Sequence, residues 1–366
     1  MIGTIEMNGR QVGPGAAAYI VAEMSANHGR SFEYAVKIIE AAKKAGADAI
    51  KIQTYTPDTL TINCDNEYFK IGGGTLWEGR NLYDLYREAY TPWEWQPKLK
   101  EIAERLKLGF FSTPFDETAV DFLEKINVPA HKVASFENGD LALLRKIAKT
   151  GKAIIMSTGT ATLGEIDEAV QTIRGAGGDK LILLKCTSAY PALPEEMNLR
   201  TIPHLAKAFG VPVGLSDHTL GIAVPAAAVA LGACLIEKHF TLSRATPGPD
   251  SAFSLEPQEF KSMVETVRTV EKALGMVHYG VSGQEAKSRM FRRSLFVVKD
   301  MKAGDSFTAE NMRSIRPGHG LHTRYFEEVM GRKAGRAIQR GTPVTWDLVS
   351  GSKADHKQAT EDPCLE

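Results

Sequence analysis

Residues 211–240, VPVGLSDHTLGIAVPAAAVALGACLIEKHF, contain two short apolar runs that each lead to a histidine. The runs Val211–Leu215 and Cys234–His239 have the length and apolar composition of strands that are buried on both faces. A helical pattern of residues separates them. Strands of this kind that alternate with helices are typical of a parallel sheet covered by helices.

The same alternation extends back through the first 210 residues. Six further runs of strand length precede the two above: Tyr19–Glu23, Ala49–Gln53, Gly109–Ser112, His131–Ala134, Ala153–Ser157 and Lys180–Cys186. Helix starts are indicated by N-cap or capping-box patterns at Thr91–Glu94, Asp116, Asp140 and Thr162–Glu165, and by a proline at Pro257. Eight strands are the number that closes a parallel barrel, so residues 1–275 are predicted to form an α/β (β/α)8 TIM barrel.

The pattern changes after residue 275. Residues 276–291 are polar and predict a linker, and residues 292–351 predict a small, mostly β module with extended pieces at Ser294–Val298 and Gly335–Ile338. The charged tail, residues 352–366, is predicted to be disordered. Residues 63–90 are too many for an ordinary barrel loop and indicate a lid or interface element.

Composition excludes several classes of protein. The 366 residues carry 44 Lys+Arg and 44 Asp+Glu, which argues against a wholesale basic nucleic-acid-binding face. The four cysteines have no short spacing, which excludes a zinc ribbon or a disulfide framework. The longest apolar run, Ile222–Ile236, is interrupted and too short to span a membrane. We therefore expect a reduced, cytoplasmic protein without a nucleic-acid or membrane partner.

Polar residues lie at the predicted C-terminal end of every barrel strand, where barrel enzymes have their active sites. We call these strand ends the rim. In chain order the rim residues are Glu23, Lys51 and Gln53, Ser112 and Thr113, Lys132 and Ser135, Ser157 and Thr158, Lys185 with Thr187 and Ser188, Ser216–His218, and Lys238 and His239. Their recurrence on all eight strands predicts an active site at the rim.

His218 and His239 end the seventh and eighth strands, which are neighbours in a barrel. Two imidazoles can form half of a divalent-metal site, with water and substrate oxygens as the remaining ligands. Two hydrogen-bonded histidines without a metal fit the sequence equally well. Asp217 and Glu237 could orient the rings.

Lys51, Lys132 and Lys185 predict a basic pocket floor, because several buried lysines are stable only opposite an anionic substrate. Neutral donors to that substrate are expected from the hydroxyls of Thr113, Ser135, Ser157 and Ser216. The alternative is that each lysine pairs with an acid, as Lys238 could with Glu237. Glu23 is then the lone acid of the pocket, where it binds sugar hydroxyls, transfers a proton or forms a structural salt bridge.

Five motifs together resemble the sialic acid synthases, which use phosphoenolpyruvate. They are AEMSANH (22–28), AGADAIKIQ (45–53), STPF (112–115), GLSDH (214–218) and EKHFT (237–241). The C-terminal module, with Arg316-Pro317-Gly318, resembles the antifreeze-like SAF domain of that family. The resemblance covers residues from about 10 to 351 and implies the condensation of phosphoenolpyruvate with the open-chain aldehyde of an N-acetylated hexose, with release of phosphate by C–O cleavage.

The resemblance also implies roles for individual residues. His218 and His239 would hold Mn²⁺ or Mg²⁺, and Arg316 would come from the partner subunit in a homodimer with swapped C-terminal domains. Phosphoenolpyruvate would be bound by Lys51, Thr113, Lys132, Ser135, Ser157 and Ser216. The sugar would face Glu23, Tyr190, Asp250 and Ser188, the last of which stands where the family usually has asparagine.

Several positions resemble the pseudaminic acid branch of this family, among them residues 74–79, 82–86 and 90–95. They favour 2,4-diacetamido-2,4,6-trideoxy-altrose, an N-acetylated deoxyhexose, over N-acetylmannosamine. Synthesis of N-acetylneuraminate or legionaminate is the alternative within the family. Outside it, a metal-dependent barrel aldolase or a non-catalytic carbohydrate- or ice-binding protein remains open, and a phosphate-release assay separates these classes.

Overall fold

A computed structural model describes residues 2–351 of the chain. It divides into two compact units, one that ends at Gly275 and one that begins at Met276. The predicted disordered tail, residues 352–366, lies outside the described residues.

The first unit contains a short hairpin and a closed barrel of eight parallel strands. The hairpin strands are β1 (Ile5–Met7) and β2 (Arg10–Val12). The barrel strands are β3 (Tyr19–Glu23), β4 (Ala49–Thr54), β5 (Gly109–Pro114), β6 (Ala130–Val133), β7 (Ala153–Ser157), β8 (Leu181–Cys186), β9 (Val213–Asp217) and β10 (Leu235–His239). The TIM barrel is confirmed, and β10 closes it by pairing with β3.

Helices follow the barrel strands in the first unit, and two short helices belong to the second unit. In the described residues of both units they are α1 (Phe32–Lys44), α2 (Pro57–Leu60), α3 (Leu82–Ala89), α4 (Gln96–Arg105), α5 (Glu117–Lys125), α6 (Leu141–Ala148), α7 (Leu163–Gly175), α8 (Thr201–Phe209), α9 (Ala223–Ala230), α10 (Pro257–Leu274), α11 (Gly283–Ala286) and α12 (Phe326–Val329). The predicted caps Asp116, Asp140 and Thr162 are confirmed, and Pro257 is the first residue of α10.

The predicted capping box at Thr91 is wrong. Thr91 is buried, and its hydroxyl lies 3.1 Å from the ring nitrogen Nε2 of His28. A 3-10 turn, Trp93–Trp95, comes first, and α4 begins at Gln96. The threonine therefore fixes a buried histidine instead of starting the helix.

Side chains along each barrel strand point alternately inward and outward, and this produces two apolar layers. Inward residues such as Val21, Phe111 and Leu235 fill the barrel, and outward residues such as Ile20 and Ile236 pack under the helices. The hairpin, which is absent from the predicted elements, adds its own apolar side chains to the inner layer. The same alternation decides which polar residues reach the rim pocket.

The second unit is small and has its own apolar core, which includes Phe307, Met312 and Val344. Strand β11 (Ser294–Val297) pairs antiparallel with β12 (Met312–Ile315). The predicted extended piece at Gly335–Ile338 forms no regular strand, since Ile338 makes only an isolated bridge to Met301. A single bridged residue does not build a continuous ladder.

Candidate active site

Four buried charged side chains form the floor of the rim pocket. Lys51 Nζ lies 2.6 Å from Glu23 Oε2 and 3.5 Å from Glu237 Oε1, and Lys132 Nζ lies 4.0 Å from the same Glu237 oxygen. These residues stand at inward positions on β4, β3, β10 and β6. The prediction that Glu23 is the lone acid is wrong, because Glu237 shares the floor and lies between the two lysines.

Burial and neighbouring charges perturb all four groups. Burial raises the pKa of Glu23 to about 7, although Lys51 opposes the shift. Burial would also raise the pKa of Glu237, but Lys132 and Lys51 outweigh it and hold that pKa below 4.5. Burial lowers the pKa of Lys132. Since Glu23 titrates near neutral pH, the floor gains positive charge when that carboxyl is protonated.

Hydroxyl groups surround the two lysines. Lys51 donates to Thr113 Oγ1 at 3.1 Å, and Lys132 donates to Ser157 Oγ at 2.6 Å. Ser216 donates to Glu237 Oε1 at 3.3 Å. The structure therefore places these three predicted hydroxyls at the pocket floor, where they can turn toward an anionic ligand.

Gly159 allows two further hydroxyls, those of Ser135 and Ser188, to lie against its backbone. A Cβ atom at this position would collide with Ser188 Oγ and would lie 2.6 Å from Ser135 Oγ. The glycine follows β7, and the two serines follow β8 and β6. A side chain at residue 159 would therefore displace one or both serines from the pocket.

The prediction that Lys185 belongs to the pocket floor is wrong. It occupies an outward position on β8, and its Nζ donates to Cys186 O at 2.8 Å and to Thr187 Oγ1 at 3.2 Å. Its neighbour Cys186 points inward, with Sγ 3.9 Å from His218 Nδ1. Cys186 is absent from the predicted site. Because side chains alternate in direction along a strand, alternation alone would have predicted Cys186, and not Lys185, as the pocket residue.

His218 and His239 meet at the rim with ring centroids 5.3 Å apart. Nδ1 of His218 lies 3.0 Å from Thr187 O, whereas Nδ1 of His239 is buried without a hydrogen-bond partner. Burial and the nearby His218 hold the pKa of His239 well below 6.5, so its imidazole is neutral. A neutral ring with an unpartnered nitrogen is a suitable metal ligand.

The described residues contain no group of three or more His, Cys, Asp or Glu side chains arranged to hold a metal ion. A metal held by the two histidines would therefore keep positions open for water or substrate oxygens.

Asp217 does not orient the histidines as predicted. It faces outward from β9 and accepts from Lys238 Nζ at 2.6 Å, and both side chains are fully buried. Lys238 also donates to Thr219 O. The predicted pairing of Lys238 with Glu237 is wrong because consecutive residues of a strand face opposite sides of the sheet.

We expect Lys238→Met to lower the free energy of unfolding by about 3–5 kcal/mol, because it leaves Asp217 as an unpaired buried charge. The double variant Asp217→Leu/Lys238→Met should recover most of this loss, since no charge is then stranded. Urea unfolding of the two variants and the wild type measures both effects. A single variant as stable as the wild type would show that the pair is energetically silent.

Glu137 is a further carboxyl at the rim that is absent from the predicted site. It ends the 3-10 turn Ser135–Glu137 after β6, and its Oε2 is buried without a hydrogen-bond partner. Burial raises its pKa to about 7, although Lys132 opposes the shift. In the sequence, its position two residues after the predicted site residue Ser135 could have indicated that Glu137 lies at the rim.

The predicted sugar side of the pocket lies beside the histidines. The Tyr190 ring is 4.5 Å from the His218 ring and 5.2 Å from Phe253. Asp250 is buried and accepts from Ala26 N at 3.4 Å. Glu23 accepts from Gln53 Nε2 at 3.2 Å in addition to its lysine contact. Tyr190, Asp250 and Glu23 thus all belong to the barrel unit.

Arg316 belongs to the second unit, directly after β12. It lines a concavity of about 550 Å³ within that unit, together with Ser288, Phe291, Arg292, Arg293, Ser314, His322 and Thr323. The turn that follows is fixed by Ser294 Oγ, which donates to Pro317 O at 2.7 Å. The concavity is rich in arginine, as a binding surface for carboxylate or carbonyl oxygens would be.

Comparison with known proteins identifies the family of this chain. The NeuB family profile matches residues 38–279, and the SAF domain profile matches residues 292–350. The chain belongs to the NeuB family. This confirms the resemblance to the sialic acid synthases, and the SAF match covers Arg316.

Individual relatives span nearly the whole of this NeuB-family chain. Pseudaminic acid synthase of Campylobacter jejuni is 49% identical over 88% of the chain and 94% of its own length. Pseudaminic acid synthase of Helicobacter pylori is 44% identical over 91% of the chain and 98% of its own length.

A solved structure agrees in fold. It is N-acetylneuraminic acid synthetase from Leptospira borgpetersenii, in complex with citrate, which superposes with a TM-score of 0.70 at 32% identity and covers 79% of the chain and 95% of its own. Among residues 2–351 we find no helix with the length and apolar character needed to cross a membrane.

Proposed function

We propose that the chain is a pseudaminic acid synthase, which condenses phosphoenolpyruvate with 2,4-diacetamido-2,4,6-trideoxy-L-altrose to give pseudaminic acid and phosphate. The observation that carries this proposal is the 44–49% identity, over most of the chain, to relatives named for that reaction. The solved N-acetylneuraminic acid synthetase is 32% identical. N-acetylneuraminate or legionaminate synthesis is therefore the second candidate.

The pocket floor suits phosphoenolpyruvate, which carries a phosphate and a carboxylate. Lys51 and Lys132 supply charge, and Thr113 and Ser157 already contact them. Ser135, which follows β6, and Ser216 on β9 add further hydroxyl groups. Charge-assisted hydrogen bonds in a buried pocket are the strong ones, so these groups can hold both anionic ends of the substrate.

We assign the divalent cation, Mn²⁺ or Mg²⁺, to His218 and His239. The fit is supported by the neutral His239 imidazole with its unpartnered nitrogen and by the 5.3 Å between the ring centroids. When bound, the metal would polarise the aldehyde oxygen of the open-chain sugar.

Proton transfer falls to Glu23 and Glu137, whose pKa values are both raised to about 7 by burial. C3 of phosphoenolpyruvate bonds to the aldehyde carbon, whose oxygen takes up a proton. Water adds to C2 and loses one proton. The bond from C2 to the bridging oxygen then breaks, and the remaining C2 hydroxyl gives its proton to the departing phosphate, which leaves a ketone at C2. A carboxyl that titrates near neutral pH can give the first proton or accept the second.

Homodimerisation with swapped C-terminal domains is part of the proposal, with Arg316 reaching the sugar in the partner's barrel. A cytoplasmic location belongs to it as well, since a reducing compartment suits the unpaired Cys64, Cys186 and Cys234.

A substrate panel at constant phosphoenolpyruvate tests the proposed function by release of phosphate. We expect the 2,4-diacetamido-2,4,6-trideoxy sugar to be turned over most efficiently, with weaker turnover of N-acetylmannosamine and of the legionaminate precursor. Preference for either of the latter would move the assignment within the family. Condensation without phosphate release would indicate an aldolase, and no reaction with any sugar would favour a binding protein.

We expect Lys132→Ala to raise the KM for phosphoenolpyruvate about 10- to 150-fold, the equivalent of a lost charge-assisted contact of about 1.5–3 kcal/mol. The KM for the sugar should change little. Lys185→Ala is the matched control, because that lysine is the last residue but one of β8, as Lys132 is of β6, but faces outward. Steady-state kinetics with each substrate varied in turn distinguishes the outcomes, and equal losses for both substrates would make Lys132 structural.

A further inference from the structure

Residues 63–90 are too many for an ordinary barrel loop. Through Trp77 this segment contacts the rim near His218. The indole Nε1 of Trp77 donates to Pro249 O at 3.0 Å, and its ring centroid lies 5.5 Å from that of Tyr190. The Tyr190 ring in turn lies 4.5 Å from the His218 ring. A continuous aromatic surface therefore runs from the long loop to the proposed metal ligand.

Backbone hydrogen bonds within residues 63–90 hold the Trp77 indole in place. Ile71 N donates to Arg80 O and Gly79 N donates to Ile71 O, each at 2.9 Å, so the segment closes on itself. Residues 72–76 are exposed, whereas Trp77 is half-buried. Trp77 belongs to none of the apolar core clusters found in residues 2–351. Its contacts are thus with the pocket wall and not with the core.

The wall and the floor of this pocket differ in chemistry. The floor carries Lys51 and Lys132, which can bind an anion, beside the carboxyls of Glu23 and Glu237. The wall carries the aromatic rings of Trp77 and Tyr190, 5.5 Å apart, with Phe253 next to Tyr190. Aromatic faces bind methyl and C–H groups and offer nothing to an added hydroxyl, which loses its water without gaining a hydrogen bond.

We propose that Trp77 and Tyr190 form an aromatic wall that selects the apolar groups of the sugar, its C6 methyl and acetamido methyl groups, against a 6-hydroxyl. This inference rests on the proposed function and adds the residues that choose the sugar. Trp77 is a specificity-determining residue that takes no part in proton transfer. An apolar pocket of this type discriminates by one to two orders of magnitude.

The test compares the full-length wild type with Trp77→Ala and Trp77→Phe, using the 6-deoxy diacetamido sugar and N-acetylmannosamine as probes. We expect Trp77→Ala to lower the ratio of kcat/KM for the two sugars about 10- to 100-fold, with the KM for phosphoenolpyruvate within about 2-fold of the wild type. Trp77→Phe keeps an aromatic face and should retain most of the selectivity. Leu76→Ala, at the exposed neighbouring residue, is the matched control and should change nothing.

Each outcome decides the proposal. Equal loss of kcat/KM for both sugars would show that Trp77 only maintains the loop, and an unchanged ratio would show that the wall does not select; either result overturns the inference. A parallel rise in the KM for phosphoenolpyruvate in both Trp77 variants would overturn it as well, since the floor would then be disturbed. A wild type that releases phosphate but prefers N-acetylmannosamine overturns the proposed function instead.

Discussion

Replacing His239 with alanine should reduce condensation by about 1,000-fold or more, the loss expected when a metal no longer polarises the aldehyde, while leaving the barrel folded. The residue ends β10 at the rim, so its removal opens no cavity among the inner apolar side chains. Its buried Nδ1 has no hydrogen-bond partner, which means that no protein contact depends on that atom. If the imidazole serves only as a metal ligand, the loss should fall on metal affinity and turnover and spare stability.

The measurement pairs phosphate release with metal content after dialysis against a chelator and readdition of Mn²⁺. His131→Ala is the control, since His131 is also a buried strand histidine but faces outward and contacts Glu124 Oε1 at 2.8 Å. That variant should lose some stability and keep its metal and its turnover. A His239→Ala enzyme that turns over normally after chelator treatment would refute the metal assignment.

The barrel is predictable from sequence because its signals are local. Each strand is a short apolar run, and a parallel barrel requires burial on both faces, so the eight runs stand out without knowledge of their partners. Asp116 and Thr162 cap their helices through bonds to residues two or three positions away. Thr91 has the same local pattern but is drawn to His28, a contact across 63 residues that no local rule supplies.

The pocket is only partly predictable, for a different physical reason. The type and the strand of its residues are evident, but the direction of each side chain depends on the exact register. In each of two consecutive pairs near the strand ends, Lys185 with Cys186 and Glu237 with Lys238, one residue faces the pocket and the other faces outward. Lys51 and Glu237 are more than 180 residues apart in the chain. They come into contact only because the barrel closes between β10 and β3.

The proposed exchange of C-terminal domains gives Arg316 a way to act on a barrel from a separate folded unit. The segment that joins the units exposes large apolar side chains, with Met276, Val277 and Tyr279 each more than four-fifths accessible in the single chain. Such exposure is unusual on a monomer and is typical of a surface covered by a second copy. We therefore expect an obligate homodimer in which each active site draws on both chains.

Mixing an inactive His218→Ala chain with an inactive Arg316→Ala chain should then restore activity. In a swapped heterodimer, the barrel of the His218→Ala chain receives the mutant arginine and carries both changes, while the other barrel combines an intact His218 with an intact Arg316. About half of the wild-type activity per heterodimer is expected from this count of sites. Co-expression with two different tags isolates the heterodimer for the phosphate-release assay, and each mutant homodimer serves as its own control. If arginine and histidine act within one chain, both sites of the heterodimer carry one mutation and it stays inactive, which would refute the swapped arrangement.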